Sequence, residues 1–311
     1  MIKLLLSIMI IIPVLLNGQI SILSPFGGEY FQKNTTTQIR WETPFVGTVE
    51  ISFSSDGGIN WNNIESNVDA NLGTFDWTLP NIISTSCKIK ISPIPDDGSA
   101  ITSYNFTIGD RVTLPRILVN EEFEEWVIFS DIAQVTPGAE IGNSLKVIND
   151  DDFLNIYFET DEFISLQNDN SLTLYIDSDD DLSTGKSVNG IGAEIEFKFG
   201  DRRGTVYVNN SEYTIGVGAL FLIISPTVWS DKFEITMNLN SSVGGTNLFS
   251  SERIRLLIKD ESTGVSIPSE DRGSGYRIGD YNFTPLDGYS MIKQSDEFIR
   301  VMSHNVLFSN F

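Results

Sequence analysis

The chain has 311 residues, with 42 acidic against 20 basic side chains, one His, one Cys and a formal net charge of −22 at pH 7. This excess of negative charge repels phosphate backbones and anionic lipid head groups, so it argues against binding of nucleic acids or membrane surfaces and favours cations such as Ca²⁺. One Cys and one His exclude an intramolecular disulfide, a cysteine-rich zinc site and a His-rich metal centre.

The N-terminus has the order of residues found in secretory signals. Lys3 is followed by an uncharged run over residues 4–16 and then by a small residue, Gly18. At about 1.5 Å per residue this run spans roughly 20 Å, short of the ~30 Å core of a bilayer, so a transmembrane helix is the weaker interpretation. Residues 1–18 are therefore predicted to be a signal peptide, with an uncleaved anchor as the alternative. After its removal we expect a bacterial protein that is secreted or on the cell surface, with no membrane association.

Residues 19–109 alternate apolar and polar side chains in short segments, which is typical of β-strands. Val49, Ile51 and Phe53 form one such segment, and Asp56-Gly57-Gly58 is one of the turns between them. About seven strands without a helical period predict a small β-sandwich. The order SPFGGEYF, TQIRWE, VEISFSSDGGINW, GTFDWTLP and CKIKIS resembles the immunoglobulin-like module of bacterial surface proteins, over the whole of this span.

Three tryptophans of this module, Trp41, Trp61 and Trp77, could form a face that stacks on sugar rings. Trp41 and Trp77 are in phase with the apolar residues of their own strands, so core packing is the favoured interpretation for both. Cys87 has the same phase and is predicted to be a small buried apolar residue. The module is therefore expected to act as a spacer or a binding unit, without catalytic chemistry.

Residues 110–116 are predicted to be a linker, after which strand-like segments resume and continue to residue 285. Longer acidic loops separate them, and no segment has a sustained period of 3.6 residues, which predicts a second, larger, jelly-roll-like β-sandwich over residues 117–285. The run IDSDDDLSTG, followed by GIGAE, resembles the family 9 carbohydrate-binding modules and their DOMON-like relatives. The resemblance implies an extracellular polysaccharide as the partner.

A cluster of carboxylates follows one predicted strand of this second module. Asp177, Asp179 and Asp181 alternate along one loop, and Glu194 comes in the next segment. Like charges held close together are destabilising unless they are solvated or neutralised by a cation, and Ca²⁺ prefers oxygen ligands. The four residues are therefore predicted to bind Ca²⁺. The spacing does not fit an EF-hand, because Leu182 stands where that loop needs Gly, and the alternative to a calcium site is a solvated acidic turn.

Two tryptophans of the second module are candidates for stacking on a sugar, by analogy with the carbohydrate-binding modules. Trp126 lies near the start of the module, where the chain commonly seals the sandwich, and is predicted to be a core residue. Trp229 follows the turn Pro226-Thr227-Val228 and is predicted to be exposed, which makes it the candidate ligand-binding residue. One aromatic residue is not a sugar platform, so carbohydrate binding rests on the analogy.

The last segment is predicted to begin a further domain. Residues 286–297 are polar and are interpreted as a linker, and residues 298–311, FIRVMSHNVLFSNF, form a buried-strand pattern that would leave an exposed pairing edge. This stretch resembles the opening strand of the endonuclease/exonuclease/phosphatase fold, which implies that Asn305 helps to hold Mg²⁺ or another divalent metal and the scissile phosphate. The other catalytic residues of that family would lie beyond Phe311, so the domain is interpreted as truncated. The alternative is a last strand of the second sandwich.

These patterns favour a chain that is not catalytic by itself. The only His lies in the terminal stretch, which argues against catalysis by a Ser-His-Asp or Cys-His arrangement. The leading hypothesis is the inactive N-terminal part of a secreted, metal-dependent phosphoesterase or nuclease. The alternative is an extracellular carbohydrate-binding or adhesion protein without catalytic activity. The sequence does not indicate an oligomeric state.

Overall fold

The computed structural model describes residues 20–44, 47–133, 141–167, 170–269 and 272–285. The described residues form β-strands joined by turns, together with short 3₁₀ helices at Ala70–Leu72, Glu124–Ile128 and Val217–Leu220. Within these ranges no helix has the length and hydrophobicity needed to cross a membrane. The strands group into two β-sandwiches, which confirms the all-β prediction.

In the described residues the first sandwich has nine strands, whose alternating side chains face the core and the solvent in turn. They are β1 Ser21–Ser24, β2 Tyr30–Gln32, β3 Thr36–Glu42, β4 Thr48–Ser54, β5 Asn62–Asp69, β6 Thr74–Thr78, β7 Ser84–Ile94, β8 Ile101–Thr102 and β9 Phe106–Gly109. One sheet has the order β1-β3-β6, and the other has the order β2-β9-β7-β4-β5, with β8 also paired to β7. Strands β2 and β9 are parallel.

The core of the first sandwich lies between its two sheets. Trp41 and Trp77 are only 2% and 6% exposed and Cys87 is buried, so the alternation in the sequence correctly predicted all three as core residues. Trp61 is partly exposed, and the ammonium group of Lys90 lies 4.6 Å from the centre of its ring. The positive charge of Lys90 therefore covers one face of Trp61, the least buried of the three tryptophans in this sandwich.

The second sandwich is larger, and its strands are separated by longer loops. They are β10 Gly142–Asn149, β11 Phe153–Ile164, β12 Leu172–Asp177, β13 Lys186–Val188, β14 Ile191–Ala193, β15 Ile195–Lys198, β16 Arg203–Val208, β17 Ser211–Gly216, β18 Ile223–Ser225, β19 Ser230–Asn238, β20 Ser242–Val243, β21 Thr246–Asn247, β22 Arg253–Asp260, β23 Ser266–Ile267 and β24 Ser274–Arg277. One sheet has the order β10-β11-β19-β18. The other has the order β17-β16-β15-β12-β22-β23, with β24 also paired to β22.

Aromatic rings fill the core between the sheets of the second sandwich. The ring of Phe158 lies 5.0 Å from that of Phe233 on the neighbouring strand and 6.0 Å from that of Phe199 across the core. Strand β12 is buried along its whole length, because the core covers one face and the separate β13-β14 hairpin covers the other. Because the β13-β14 hairpin packs on this outer face, it lies next to the end of β12.

The two sandwiches meet at a close contact between glycine-rich backbones. The N–H of Arg277 donates to the carbonyl oxygen of Gly27 over 3.0 Å. A Cβ atom on Gly27 would lie 2.2 Å from the carbonyl oxygen of Gly275, and one on Gly28 would lie 2.3 Å from the ring of Tyr276. Only glycine fits at such distances, so the glycines of the PFGG turn also set how closely the sandwiches approach.

Glu29 lies buried beneath this contact, with 1% of its surface exposed. Its carboxylate accepts hydrogen bonds from the N–H groups of Phe26 and Gly27, each over 2.7 Å. Burial raises the pKa of Glu29 to about 7, although the two N–H groups and the positive charge of Arg277 act in the opposite direction. The junction therefore contains an acidic group whose charge is costly there.

The segment 110–116, predicted to be a linker, joins the sandwiches and packs against the second one. Leu114 is 2% exposed; its N–H donates to the carbonyl oxygen of Asn282, and its own oxygen accepts from the N–H of Thr284. The guanidinium of Arg116 forms a salt bridge of 2.7 Å with Asp150. These contacts give the connection little freedom to bend.

Candidate metal centre

The candidate centre is built at the end of β12, in the middle of the larger sheet. Strand β12 lies between β15 and β22, and Asp177, its last residue, pairs with Arg255. Because both faces of β12 are covered, the side chain of Asp177 is fully buried. The loop over residues 178–185 then carries the rest of the acidic run.

The β13-β14 hairpin brings Glu194 to this loop. Ile191 and Ala193 of the hairpin pack on the outer face of the sheet, which fixes the start of the next strand beside β12. A Cβ atom on Gly192 would lie 2.4 Å from the carbonyl oxygen of Thr184. The glycine in the sequence GIGAE is therefore needed because the hairpin and the loop touch through their backbones.

Three carboxylates converge at this point: Asp177, Asp179 and Glu194 each offer an oxygen, and the three oxygens lie within 4.8 Å of one another. Asp177 is fully buried, Glu194 is 5% exposed and Asp179 is partly exposed. Carboxylate oxygens at this spacing are suitable ligands for a hard divalent cation such as Ca²⁺. The structure thus brings together three of the four residues predicted from the sequence.

The hydrogen-bond donors to the two buried carboxylates are uncharged. The N–H of Gly192 donates to Asp177 over 3.2 Å. Glu194 accepts from the N–H of Ser178 over 2.8 Å and from the hydroxyl of Thr184 over 2.8 Å. These donors hold the carboxylates in position but bring no positive charge to offset theirs.

Burial and mutual repulsion make the charge of this cluster unfavourable. Burial, together with the negative charge of Asp179, raises the pKa of Asp177 to about 6 and that of Glu194 to about 7. The N–H and O–H donors lower both values only in part. A divalent cation between the three groups would remove this repulsion, which is the chemistry that the arrangement offers.

Asp181 is not part of the group, which corrects the predicted set of four ligands. Its carboxylate accepts from the N–H and the hydroxyl of Ser183, over 2.9 and 2.7 Å, and these bonds lower its pKa. The prediction assumed that the alternation of β12 continues through the loop. Instead Asp180 has a φ of 57°, and this left-handed residue turns Asp181 out towards the solvent.

Asp180 has a role that the sequence analysis missed. Its carboxylate forms salt bridges with Arg253 and Arg255, two cations on β22. Arg255 in turn donates to the hydroxyl of Tyr104 in the first sandwich over 2.8 Å, and its guanidinium lies 5.1 Å from the ring centre of Phe26. The acidic loop is thus linked to the junction between the sandwiches. The sequence did offer one signal for this ion pair. Arg253 and Arg255 lie two positions apart, and so on the same face of a strand, in a chain with few basic residues.

A polar groove adjoins the cluster on its open side. Asp179 and Glu194 line one part of the groove, and the turn between β16 and β17 and the β20-β21 hairpin line the rest. Its volume is about 610 Å³, within the range of ~300–1,000 Å³ that ligand pockets occupy. The cluster is therefore reachable by a small ligand.

The structure also places the two tryptophans of the second sandwich. Trp126 is 2% exposed, and its Nε1 donates to Glu234 over 2.9 Å, so its predicted place in the core is confirmed. Trp229 is 70% exposed, with Val228 64% exposed beside it. Trp229 directly precedes β19, which pairs with β11 in the sheet that does not contain β12, and it is not a lining residue of the polar groove.

The remaining predictions fall outside the described residues. They concern the signal peptide over residues 1–18, the linker over residues 286–297 and the terminal stretch over residues 298–311 with Asn305. The metal and the phosphoester chemistry implied for Asn305 therefore stay predictions.

Comparison with known proteins finds similarity among solved structures. No protein family and no curated protein matches the chain. A solved structure of fibronectin(III)-like modules of CbhA from Clostridium thermocellum is similar to 85% of this chain and 94% of its own, at 13% identity and with a TM-score of 0.22. A TM-score this low carries no argument, so the assignment of two β-sandwiches rests on the strands and sheets described above.

Proposed function

We propose that the described part of the chain is a non-catalytic pair of extracellular β-sandwiches and that the second sandwich binds Ca²⁺ through Asp177, Asp179 and Glu194. The observation that supports this proposal is the convergence of three carboxylates, two of them buried, whose hydrogen-bond donors are uncharged. Burying like charges without a counter-ion is strongly unfavourable, and a bound cation relieves that cost.

Calcium fits the donor set better than other common metals. All three groups supply hard carboxylate oxygens, whereas zinc sites usually include His or Cys ligands. Ca²⁺ tolerates the irregular geometry of a loop and takes additional oxygens from backbone carbonyls, water or a ligand. The net charge of −22 further favours the uptake of a cation.

The test is thermal unfolding with millimolar Ca²⁺ or with a chelator. Because the folded state alone presents the site, Ca²⁺ at 100 times its dissociation constant should stabilise the protein by about 2.7 kcal/mol. For a domain of the size of the second sandwich that is a rise of about 5–10 °C in Tm. The variant Glu194→Gln should lose most of this rise, while Asp76→Asn, on an exposed strand of the first sandwich, should keep it. An unchanged Tm, or an equal rise in Glu194→Gln, would remove the calcium site.

We also propose that this pair forms the front end of a secreted, metal-dependent phosphoesterase or nuclease of the endonuclease/exonuclease/phosphatase family. The support is the sequence resemblance of residues 298–311, with Asn305 as the matched position. In that case a protein that continues in frame beyond Phe311 should hydrolyse bis(p-nitrophenyl) phosphate with Mg²⁺, and this chain alone should not. A native stop codon directly after Phe311 in the intact gene would contradict the proposal.

Carbohydrate binding without catalysis is a second candidate, favoured by the 70% exposure of Trp229. A flat, exposed indole ring is suited to stacking on a sugar ring. Binding of the chain to a panel of polysaccharides that is lost in Trp229→Ala and kept in Trp61→Ala would support this candidate. Binding that does not depend on Trp229 would contradict it.

A further inference from the structure

We propose that the junction between the two sandwiches is a pH-dependent latch, in which ionisation of Glu29 separates the PFGG turn of the first sandwich from β24 of the second. The PFGG turn is residues 25–28, and the latch is the contact of this turn with β24. The separation is local, because the contacts of Leu114 and Arg116 hold the connection between the sandwiches in place. None of the carboxylates of the proposed calcium site takes part in it.

The second sandwich covers the carboxylate of Glu29. Glu29 follows the PFGG turn directly and is 1% exposed. On the other side of the contact, the ring of Tyr276 lies 2.3 Å from the position of a Cβ atom on Gly28, and the N–H of Arg277 donates to the carbonyl oxygen of Gly27. The two N–H groups that donate to the carboxylate belong to the turn itself, so they stay with Glu29 if the turn leaves β24. The cover from β24 is then lost, and water reaches the carboxylate.

The groups of the second sandwich that face Glu29 do not form a salt bridge with it. They are Arg277 and Tyr276 on β24, and Tyr281 in the segment after β24. Arg277 donates to Glu252 over 2.9 Å, and within the described residues Glu29 has no salt bridge. Burial raises the pKa of both tyrosines, so their phenol groups stay neutral near pH 7. An ionised Glu29 is therefore poorly compensated while the latch is closed.

The other elements around Glu29 do not supply the missing cation either. Strand β9, which bonds to the backbone of Glu29, contains no charged residue. The segment before β10 contains Asp131, whose carboxylate accepts hydrogen bonds from two backbone N–H groups. On β22, Arg253 and Arg255 are both ion-paired with Asp180. The charge of Glu29 is thus best relieved by water, which requires the turn to move away from β24.

Protonation of Glu29 therefore favours the closed latch. In the closed state burial raises the pKa of Glu29 from 4.5 to about 7, and in the separated state hydration returns it towards 4.5. The closed state holds the proton more tightly, so it is favoured at low pH and loses this advantage as the pH rises towards 7. Between pH 5 and pH 8 the ratio of separated to closed molecules should rise on the order of 70-fold.

The test is hydrogen exchange of the full chain at pH 5 and pH 8, followed by NMR with Ca²⁺ present throughout. The N–H of Arg277 bonds across the junction, whereas that of its neighbour Ile278 donates to the carbonyl oxygen of Glu252 within the second sandwich. After correction for the intrinsic exchange rate, the protection factor of Arg277 should lie below that of Ile278 and fall on the order of 70-fold from pH 5 to pH 8. In Glu29→Gln, which keeps the size of the side chain but cannot ionise, the fall should be absent.

Three results would overturn the latch. The first is a protection factor of Arg277 that is the same at pH 5 and pH 8. The second is equal protection of Arg277 and Ile278, because the two N–H groups would then exchange through one common opening of the second sandwich. The third is an equal fall in Glu29→Gln. The first two are measured on the unchanged chain, so they decide the question even if the variant does not fold.

Discussion

Two buried acidic sites of this protein differ in what offsets their charge. At the junction between the sandwiches, Glu29 lies within reach of the positive charge of Arg277 and accepts two short hydrogen bonds. At the end of β12, Asp177 and Glu194 lie beside a further carboxylate, Asp179, which raises the pKa of both. The first site has a cation of the protein itself within reach, whereas the second has none and is the site at which we propose a cation from solution. Burial alone therefore does not indicate a metal site; the charge of the neighbours does.

Matched substitutions at the two sites should give the largest difference. Asp177→Asn removes a charge that the proposed ion needs, so the calcium-dependent rise in Tm, about 5–10 °C in the parent chain, should disappear. Glu29→Gln changes no group of the acidic loop, so it should keep the rise. Differential scanning calorimetry with Ca²⁺ and with a chelator measures both. An equal loss of the rise in the two variants would break the comparison.

The dependence of stability on pH should separate Glu29 from the loop. A pKa of about 7 in the folded state, against an ordinary value of 4.5, means that the folded state holds the proton more tightly. The free energy of unfolding should therefore fall as the pH rises from about 4.5 to about 7, by on the order of 3 kcal/mol, and then level off.

Urea unfolding at pH 5 and pH 8, with Ca²⁺ present throughout, gives the size of this fall. Glu29→Gln removes the titrating group, so the fall should be smaller in this variant than in the parent chain. If the two chains show the same pH dependence, Glu29 does not titrate as its buried position suggests.

A smaller effect is expected from the backbone contact that carries Glu194 to the loop. In Gly192→Ala the new methyl group would lie 2.4 Å from the carbonyl oxygen of Thr184, so the hairpin and the loop must separate. We expect a loss of stability of about 1–3 kcal/mol and weaker binding of Ca²⁺ in a titration followed by calorimetry. Gly216→Ala is the control, because a Cβ atom there has no neighbour within 4 Å. Equal calcium affinity in both variants would show that the close approach is not required.

The smallest effect is expected at an exposed acidic turn of the first sandwich. Asp56 accepts hydrogen bonds from the backbone N–H and the side chain of Asn60 and from the hydroxyl of Ser54, which lower its pKa to about 2. These local donors satisfy the carboxylate, so no cation is needed. Asp56→Asn should lower Tm slightly and leave the calcium-dependent rise unchanged. A reduced rise would mean that Ca²⁺ also binds at this turn.

The alternation of side chains was enough to predict the strands, the core tryptophans and the two sandwiches. It also indicated the acidic loop, because Asp177 ends a strand and its neighbours follow at once. It could not indicate that Asp181 leaves the cluster, since that depends on the left-handed backbone at Asp180. A period of two holds only as far as the strand does. Glu194, in contrast, reaches the loop through a hairpin whose glycines were visible in the sequence.

The contacts between the two sandwiches could not be predicted from the sequence, for a different reason. Gly27 and Gly28 were sufficiently explained by the turn they form, and their contacts with Gly275 and Tyr276 join residues far apart in the chain. Likewise, residues 110–116 have the composition of a linker, and only the tertiary structure shows that Leu114 is buried. Local sequence patterns predict strands and turns. They do not predict which distant residues those strands and turns will pack against.

Arg255 gives this molecule a mechanical property. It holds Tyr104 of the first sandwich and Asp180 of the acidic loop at the same time, and Asp180 follows directly on Asp179. Part of a load between the two sandwiches would therefore pass through the loop that contains Asp179, a residue of the proposed calcium site. The force needed to pull the two sandwiches apart should increase when Ca²⁺ is bound, and single-molecule stretching with and without a chelator would measure that increase.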